Sequence, residues 1–383
     1  MRHRCSSFIG ARVISFSLLA VLSSLTWGTR ASQLSPSGVE GLQYEGNGKR
    51  SLPCLSARYT VVPVEKAALA QALRKGGESL KHAAALELPQ LAKRPPWSSQ
   101  DIGANNGTLR STLTWLQQGT RDPSVIKGYV LSGEDGCQNV FFTGYYTPVL
   151  QIRRQPDKHF RYPLYQRPTI ASGVELPTRR EIDEGGVLQG RQLELGYSDD
   201  LLAVYIAQVQ GSVSVHYVDT GEDVTLVYGG KNGHAYQSLG KALISDGKIP
   251  TEQISVEAIR RYFAAHPDQL TDYLYRNPSY TFFKPMTSGP FASSGAEVTQ
   301  MVTAAVDPTV IPHGAVLLAE IPNIDANGQW TGRYDWRLLV AQDRGAAIRG
   351  AGRVDIYFGK GLSAEARAAQ LKHYGRVFWL VHP

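Results

Sequence analysis

The chain of 383 residues has only three cysteines and three methionines. Cys5 lies at the N-terminus, so Cys54 and Cys137 are the two cysteines of the body. Two cysteines with no histidine nearby exclude a structural zinc site of the usual four-ligand kind. The nine histidines are scattered, and His216, His234 and His373 have no spacing that converges on a metal. GxSxG is absent, which removes the hydrolase nucleophile elbow. HExxH is absent as well, and with it the zincin helix. Neither GxxxxGK[ST] nor GxGxxG follows a strand and opens a helix. The stretch Gly229-Gly230-Lys231-Asn232-Gly233 carries its lysine inside the glycines, unlike a nucleotide loop.

Long apolar runs are also missing beyond the first thirty residues. Val13 to Trp27 is apolar but short and interrupted by serines, too short for a comfortable membrane span. Arg2, Arg4 and Arg12 precede it and Thr29-Arg30-Ala31 closes it. This is the layout of a cleavable export signal, expected over 1–31; an uncut anchor is the alternative. No cysteine follows the apolar run to take a lipid anchor, so a soluble secreted or periplasmic protein is expected. The signal holds four of the 40 basic residues and none of the 33 acidic ones. The remainder, 36 basic against 33 acidic residues, carries only +3 of the formal +7. No clustered basic face of a nucleic-acid binder is present. An oxidising compartment favours a Cys54–Cys137 disulfide. Two buried free thiols remain the other reading, because sequence does not report proximity.

What is present is a change of texture. Residues 32–51 read as a flexible lead-in rich in Ser and Gly. Helical periodicity appears in 63–85, with Leu69, Leu73 and Leu80 near one face, and again in 108–118. From Val140 the chain alternates apolar, aromatic and polar residues in VFFTGYYTPVLQIR, FRYPLYQRP, LLAVYIAQVQGSVSVHYV and VTLVYGG, all read as strands. Helices are expected at 237–244, 256–266 and 269–276. Strands then resume in YTFFKP, AVLLAEIP, WRLLVAQD and DIYFG, followed by a helix over 363–372 and a last strand over 376–381. The predicted class is mainly β with flanking helices. One body is formed by 52–147 and 286–383, and 148–285 is an insertion, with a groove between them.

Carboxylates are the strongest chemical lead. An apolar strand delivers Asp343, a Gly-rich connection with Arg344, Arg349 and Arg353 follows, and a second strand carries Asp355. Two acids at strand ends beside glycine suit acid–base work. The same pattern also suits aspartates that serve turns or pair with the arginines.

Ten segments, in order, resemble the membrane-bound lytic murein transglycosylase A (MltA) family. They are FFTGYYTPVL (141–150), YPLYQRP (162–168), LPTRREI (176–182), VQGS (209–212), YGGKNGHAYQSLGKALI (228–244), NPSYTFFKP (277–285), VIPHGAVLLAEIP (310–322), AQDRGAAIRG (341–350), DIYFG (355–359) and HYGRVFWL (373–380). The resemblance implies a double-psi β-barrel that includes the N-terminal helices, plus an inserted smaller β-barrel domain. It implies cleavage of the β-1,4 bond between N-acetylmuramic acid and N-acetylglucosamine, with peptidoglycan strands as partner, other cell-wall enzymes as further partners, no metal or cofactor, and a monomer.

On the same basis Asp355 is the expected catalytic acid and Asp343 a supporting or sugar-binding residue. Tyr145, Tyr146, Gln210, Lys231, Asn232 and Tyr236 are the candidates for substrate contact. In the Tyr145-Tyr146 pair one ring points outward and one inward, so at most one is a sugar platform. The rival readings are a two-carboxylate hydrolase using Asp355 and Asp343, and a non-catalytic glycan-binding module. Ala346 and Arg349 replace a Gly and a Lys of the family pattern. The missing lipid-anchor cysteine departs from the family name, and leaves outer-membrane association open.

Overall fold

The computed structural model describes residues 47–55, 57–118, 122–169, 175–325, 328–345 and 347–383. The expected signal (1–31) and nearly all of the lead-in (32–51) lie outside them. The chain enters through two helices. The first, Lys66–Ala92, buries Ala68, Leu69, Ala72, Leu80, Ala83 and Ala84. It bends at Gly77, where φ is 43° and ψ −130°. A side chain is also excluded one residue earlier, because a Cβ on Gly76 would lie 2.0 Å from Leu80 Cδ1. The second helix, Asn106–Gln118, packs on the first and buries Leu109, Leu113 and Leu116 in the same core.

These helices cover a nine-stranded sheet. Its order is Tyr59–Val62, Lys127–Leu131, Val377–Val381, Val316–Ile324, Trp330–Asp343, Thr303–Ala305, Arg353–Lys360, Val140–Thr147 and His373–Gly375. The last strand curls back to Val316–Ile324. Glu320 N donates to Arg376 O at 2.8 Å, and a Cβ on Gly375 would sit 1.9 Å from Glu320 O. Only glycine permits that approach, so the six strands from Val316–Ile324 round to His373–Gly375 form a nearly closed barrel. Two of its pairings are parallel: Thr303–Ala305 with Trp330–Asp343, and Arg353–Lys360 with Val140–Thr147. The mainly β class with a barrel is as expected. At the barrel seam the buried Glu320 takes both Arg50 and Arg376 as partners, the latter at 2.7 Å. Cys54 and Cys137 are joined by a disulfide.

Residues from Val149 to Met286 build a second, six-stranded sheet. Its order is Thr281–Met286, Glu222–Lys231, Val213–Tyr217, Val149–Arg153, Glu194–Ser198 and Tyr162–Tyr165. A bridge from Gln166 to Phe283 brings its two edges together. One expectation is corrected here. Leu201–Gln210, read as a strand, is a helix with seven consecutive buried residues, Leu202 to Gln208. A continuous apolar run cannot be assigned by periodicity alone. The ends decide it: Asp200 accepts from Ala203 N at 2.9 Å as N-cap, and Gly211 takes the left-handed conformation (φ 83°) as C-cap.

Three further helices, Leu239–Ser245, Val256–Ala265 and Leu270–Tyr275, form a separate apolar cluster around Leu243, Ile259, Phe263 and Leu274. Two contacts tie this cluster to the barrel's Gly361–Gln370 helix region. Lys372 Nζ donates to Ile254 O at 3.2 Å, and Arg260 lies 3.6 Å from Glu365. Among the described residues no helix is long and apolar enough to cross a membrane.

Candidate active site

Asp343 ends the strand Trp330–Asp343, and Asp355 is the third residue of Arg353–Lys360. The short strand Thr303–Ala305 lies between them. Ala305 is in register with Asp343 on one side and with Asp355 on the other. Sheet pairing, rather than the Gly-rich connection, therefore sets the spacing of the two acids. On its other edge the Asp355 strand runs parallel to Val140–Thr147, which pairs Asp355 with Thr143 and Tyr357 with Tyr145.

Each acid has different company. Thr143 Oγ1 donates to Asp355 Oδ1 at 2.9 Å. Asp355 is half-buried, and its pKa is raised to about 6. Burial is the main cause; the Asp343 charge adds to it, whereas Thr143 and Arg353 oppose it. Of the three arginines in the connection, Arg344 and Arg349 are exposed and Arg353 is the one beside the acid. Asp343 instead collects donors. Its Oδ1 accepts from Ser293 N at 2.9 Å and from Arg344 N at 2.8 Å, and its Oδ2 accepts from Tyr145 Oη at 3.0 Å. Burial, followed by the two aspartates, pushes the Tyr145 phenol well above its ordinary pKa. It therefore remains a donor.

The ring of Tyr145 lies 5.2 Å from that of Tyr357. Tyr146 points to the opposite face and is buried at 4% exposure in the barrel core. The expected split of the pair is met, with Tyr145 on the acid side. The connection itself is anchored by Asp307, whose Oδ2 accepts from Gly350 N at 2.9 Å. Ala346, one of the two family departures, lies outside the described residues.

The remaining candidates lie in the Val149–Met286 region, and no hydrogen bond joins them to either acid. Lys231 ends the strand Glu222–Lys231 and is exposed. Asn232 is committed elsewhere. Its Nδ2 donates to Pro177 O and Pro278 O at 2.9 and 2.8 Å, and its Oδ1 accepts from Tyr280 N at 2.8 Å. At 5% exposure its side chain ties together two backbone segments, one at Pro177 and one at Pro278–Tyr280. Tyr236 borders an open cavity of about 400 Å3 lined also by Lys241, Asp246, Tyr273 and Arg276. Gln210 is a half-buried residue at the end of its helix.

Two protein-family models match the chain, the MltA specific insert domain over residues 141–284 and the 3D domain over residues 302–381. The membrane-bound lytic murein transglycosylase A of Vibrio cholerae is 40% identical over 276 residues, 70% of this chain and 73% of that protein. Its Escherichia coli K12 counterpart is 40% identical over 287 residues, 73% of this chain and 76% of that protein. The chain belongs to the membrane-bound lytic murein transglycosylase A family. It is an enzyme of that family's lytic transglycosylase class. The crystal structure of E. coli MltA with bound chitohexaose superposes with a TM-score of 0.71, at 32% identity, over 88% of this chain and 99% of that one. The corresponding enzyme of Agrobacterium tumefaciens gives 0.71 at 26% identity, over 84% and 98%.

Several motif residues that carry the MltA resemblance prove to be architectural. Arg179 of LPTRREI is 2% exposed. It reaches Gln208 Oε1 at 2.6 Å, Ser279 O at 2.9 Å and Asp183 at 3.4 Å. Conversely, Thr143 and Ser293 were not singled out in the sequence, whereas Arg353 was among the three arginines placed near the acids. Thr143 had a usable signal. It lies two residues before Tyr145 and so shares its strand face. Ser293 acts through its backbone, which leaves no mark on residue type.

Proposed function

We propose that the protein cleaves the β-1,4 bond between N-acetylmuramic acid and N-acetylglucosamine in peptidoglycan. Asp355 serves as acid and then as base, and the products end in 1,6-anhydromuramic acid. The observation that carries this reading is a carboxyl group raised to about 6 by burial, placed one strand away from a second carboxylate. An acid near neutral pH in a partly apolar setting is suited to hand over a proton.

In this reading Thr143 holds Oδ1, and Oδ2 presents the proton to the departing O4 of N-acetylglucosamine. The C1–O4 bond breaks and positive charge spreads over C1 and the ring oxygen of the muramyl unit. The carboxylate of Asp355 then takes the proton of the C6 hydroxyl, and O6 closes onto C1. No water is consumed and the proton balance closes within the site. A tethered nucleophile has a high effective concentration, so a second catalytic carboxylate is not demanded, unlike in most glycosidases. Asp343 accepts hydrogen bonds from three donors that hold it beside Asp355. Its negative charge disfavours ionisation of Asp355 and favours the oxocarbenium-like state. Tyr145 is the reading's platform residue on the acid side, and Lys231 and Tyr236 are the glycan contacts assigned to the insertion.

Substitution tests the assignment of the acid. Asp355→Asn is expected to lower turnover of sacculi by about 10²–10⁴-fold while sacculus binding persists. Turnover within a few-fold of the parent would remove Asp355 from the role. A periplasmic site of action accompanies this reading, supported by the arginine-led apolar N-terminus and by the names of the relatives. Fractionation of expressing cells checks it, and retention in the cytosol would contradict it.

A further inference from the structure

Glu87 sits on the helix Lys66–Ala92, outside both segments matched by the family models, and is 0% exposed. A carboxylate withdrawn from water this completely requires partners. Arg94 donates to its Oε1 at 2.5 Å. Its Oε2 accepts from Ser294 Oγ at 2.8 Å and from Gln342 Nε2 at 3.3 Å. Both of these partners are chain neighbours of groups in the site. Gln342 precedes Asp343, and Ser294 follows Ser293, whose N–H holds Asp343 Oδ1.

The two serines divide the work of one turn. Ser293 faces Asp343, and its Oγ lies 3.3 Å from His313 Nε2. Burial, with Arg94 adding to it, lowers the pKa of His313 to about 4, so the imidazole stays neutral. Ser294 faces Glu87, and its own N–H donates to Gln342 O at 2.9 Å. Gln342 is 0% exposed and accepts from Thr303 Oγ1 at 2.6 Å. Thr303 opens the short strand whose Ala305 is in register with both acids. Glu87 therefore contacts the turn, the strand end and, through Gln342, the intervening strand. All three determine where the Asp343 carboxylate points.

We propose that Glu87 is a positioning residue, which fixes the Ser293–Ser294 turn and Gln342 and so holds Asp343 in place beside Asp355. This rests on the roles given above to the two aspartates. The charged neighbours of Asp355 are Asp343 and Arg353; a displaced Asp343 would leave Arg353 less opposed, and Asp355 would ionise more easily.

The test uses Glu87→Gln and Ser294→Ala in the full chain, assayed on soluble glycan strands with thermal midpoints measured alongside. Each is expected to lower kcat by about tenfold through misplacement of the site and to leave KM within about twofold. Each should also move the alkaline limb of the kcat profile to lower pH. In an Asp343→Asn background both substitutions should have little further effect on kcat. An unchanged kcat and limb in both variants overturns the proposal, and so does an undiminished loss in the Asp343→Asn background. Ser294→Ala removes a single hydroxyl, so it carries the test if Glu87→Gln does not fold. Failure of the acid assignment shows separately, as persistent turnover in Asp355→Asn, because the coupling between Glu87 and Asp343 is read from relative rates whichever acid donates.

Discussion

The barrel and the inserted sheet use buried polar groups in opposite ways. In the barrel, Thr143, Tyr145 and the Ser293 N–H all converge on carboxylates that stay half-exposed. In the insertion the equivalent resources are turned inward. Arg179 is ringed by Gln208, Asp183 and the Ser279 carbonyl, and it lies over the rings of Tyr205 and Tyr280 at 4.6 and 5.0 Å. Asn232 ties Pro177, Pro278 and Tyr280 together. Both regions are rich in family-like motifs, yet in the barrel two half-exposed carboxylates are brought to either side of one short strand. Motif density therefore marks two different demands, chemistry in one region and the satisfaction of buried backbone in the other.

The largest effect that would sharpen this contrast is expected from Arg179→Ala. It leaves Asp183, whose pKa burial already raises to about 6, without its cation. Loss of a buried ion-pair partner should cost about 3–5 kcal/mol of stability, read by denaturant melts. A folded, stable variant with weakened glycan affinity would instead place Arg179 in the binding surface. Asn232→Ala comes next. It orphans the Pro177 carbonyl and the Tyr280 N–H, leaves the Pro278 carbonyl with Arg179 N as its remaining donor, and should destabilise the protein by about 1–3 kcal/mol without changing kcat. A selective rise in KM at unchanged stability would return Asn232 to the sugar-contact set and break the comparison.

Asp355→Asn should act in the other direction on stability. The folded-state pKa lies above the ordinary value of 3.8, at about 6. The parent therefore loses stability as pH rises from about 4 through about 6, where the folded form holds a proton that the unfolded form releases. The Asn variant is expected to melt higher than the parent at pH 7.5, with the difference shrinking below pH 4. Equal melting at both pH values would mean that Asp355 is not burdened by burial. The smallest effect is assigned to Thr143→Val. Loss of the Thr143 hydrogen bond removes a group that favours the carboxylate, so the pKa rises further. The alkaline limb of kcat then moves to higher pH, and a shift to lower pH would reverse the role given to Thr143.

Much of the fold could be read from texture. Short apolar runs marked the strands that carry both acids, and the apolar spacing of Leu109, Leu113 and Leu116 marked a helix that is found at Asn106–Gln118. Leu201–Gln210 was missed because burial on all sides erases amphipathic period. The Asp343–Asp355 pair could be found as two acids around a Gly-rich connection, but their relation could not. It depends on Ala305, some forty residues upstream in sequence, and on a parallel pairing with Thr143 more than two hundred residues away. Long-range register of this kind has no local signature. The backbone partners of Asn232 were hidden for the same reason, since a sugar-binding amide and a backbone-clamping amide are the same residue type until their neighbours are known.

The central claim is that one carboxyl group suffices because the substrate brings its own nucleophile. Mass analysis of the ends released from purified peptidoglycan tests it most directly. The account predicts 1,6-anhydromuramic ends, which lack the elements of one water relative to a hydrolysed end. Reducing muramic ends would contradict it and would assign Asp343 to the activation of water.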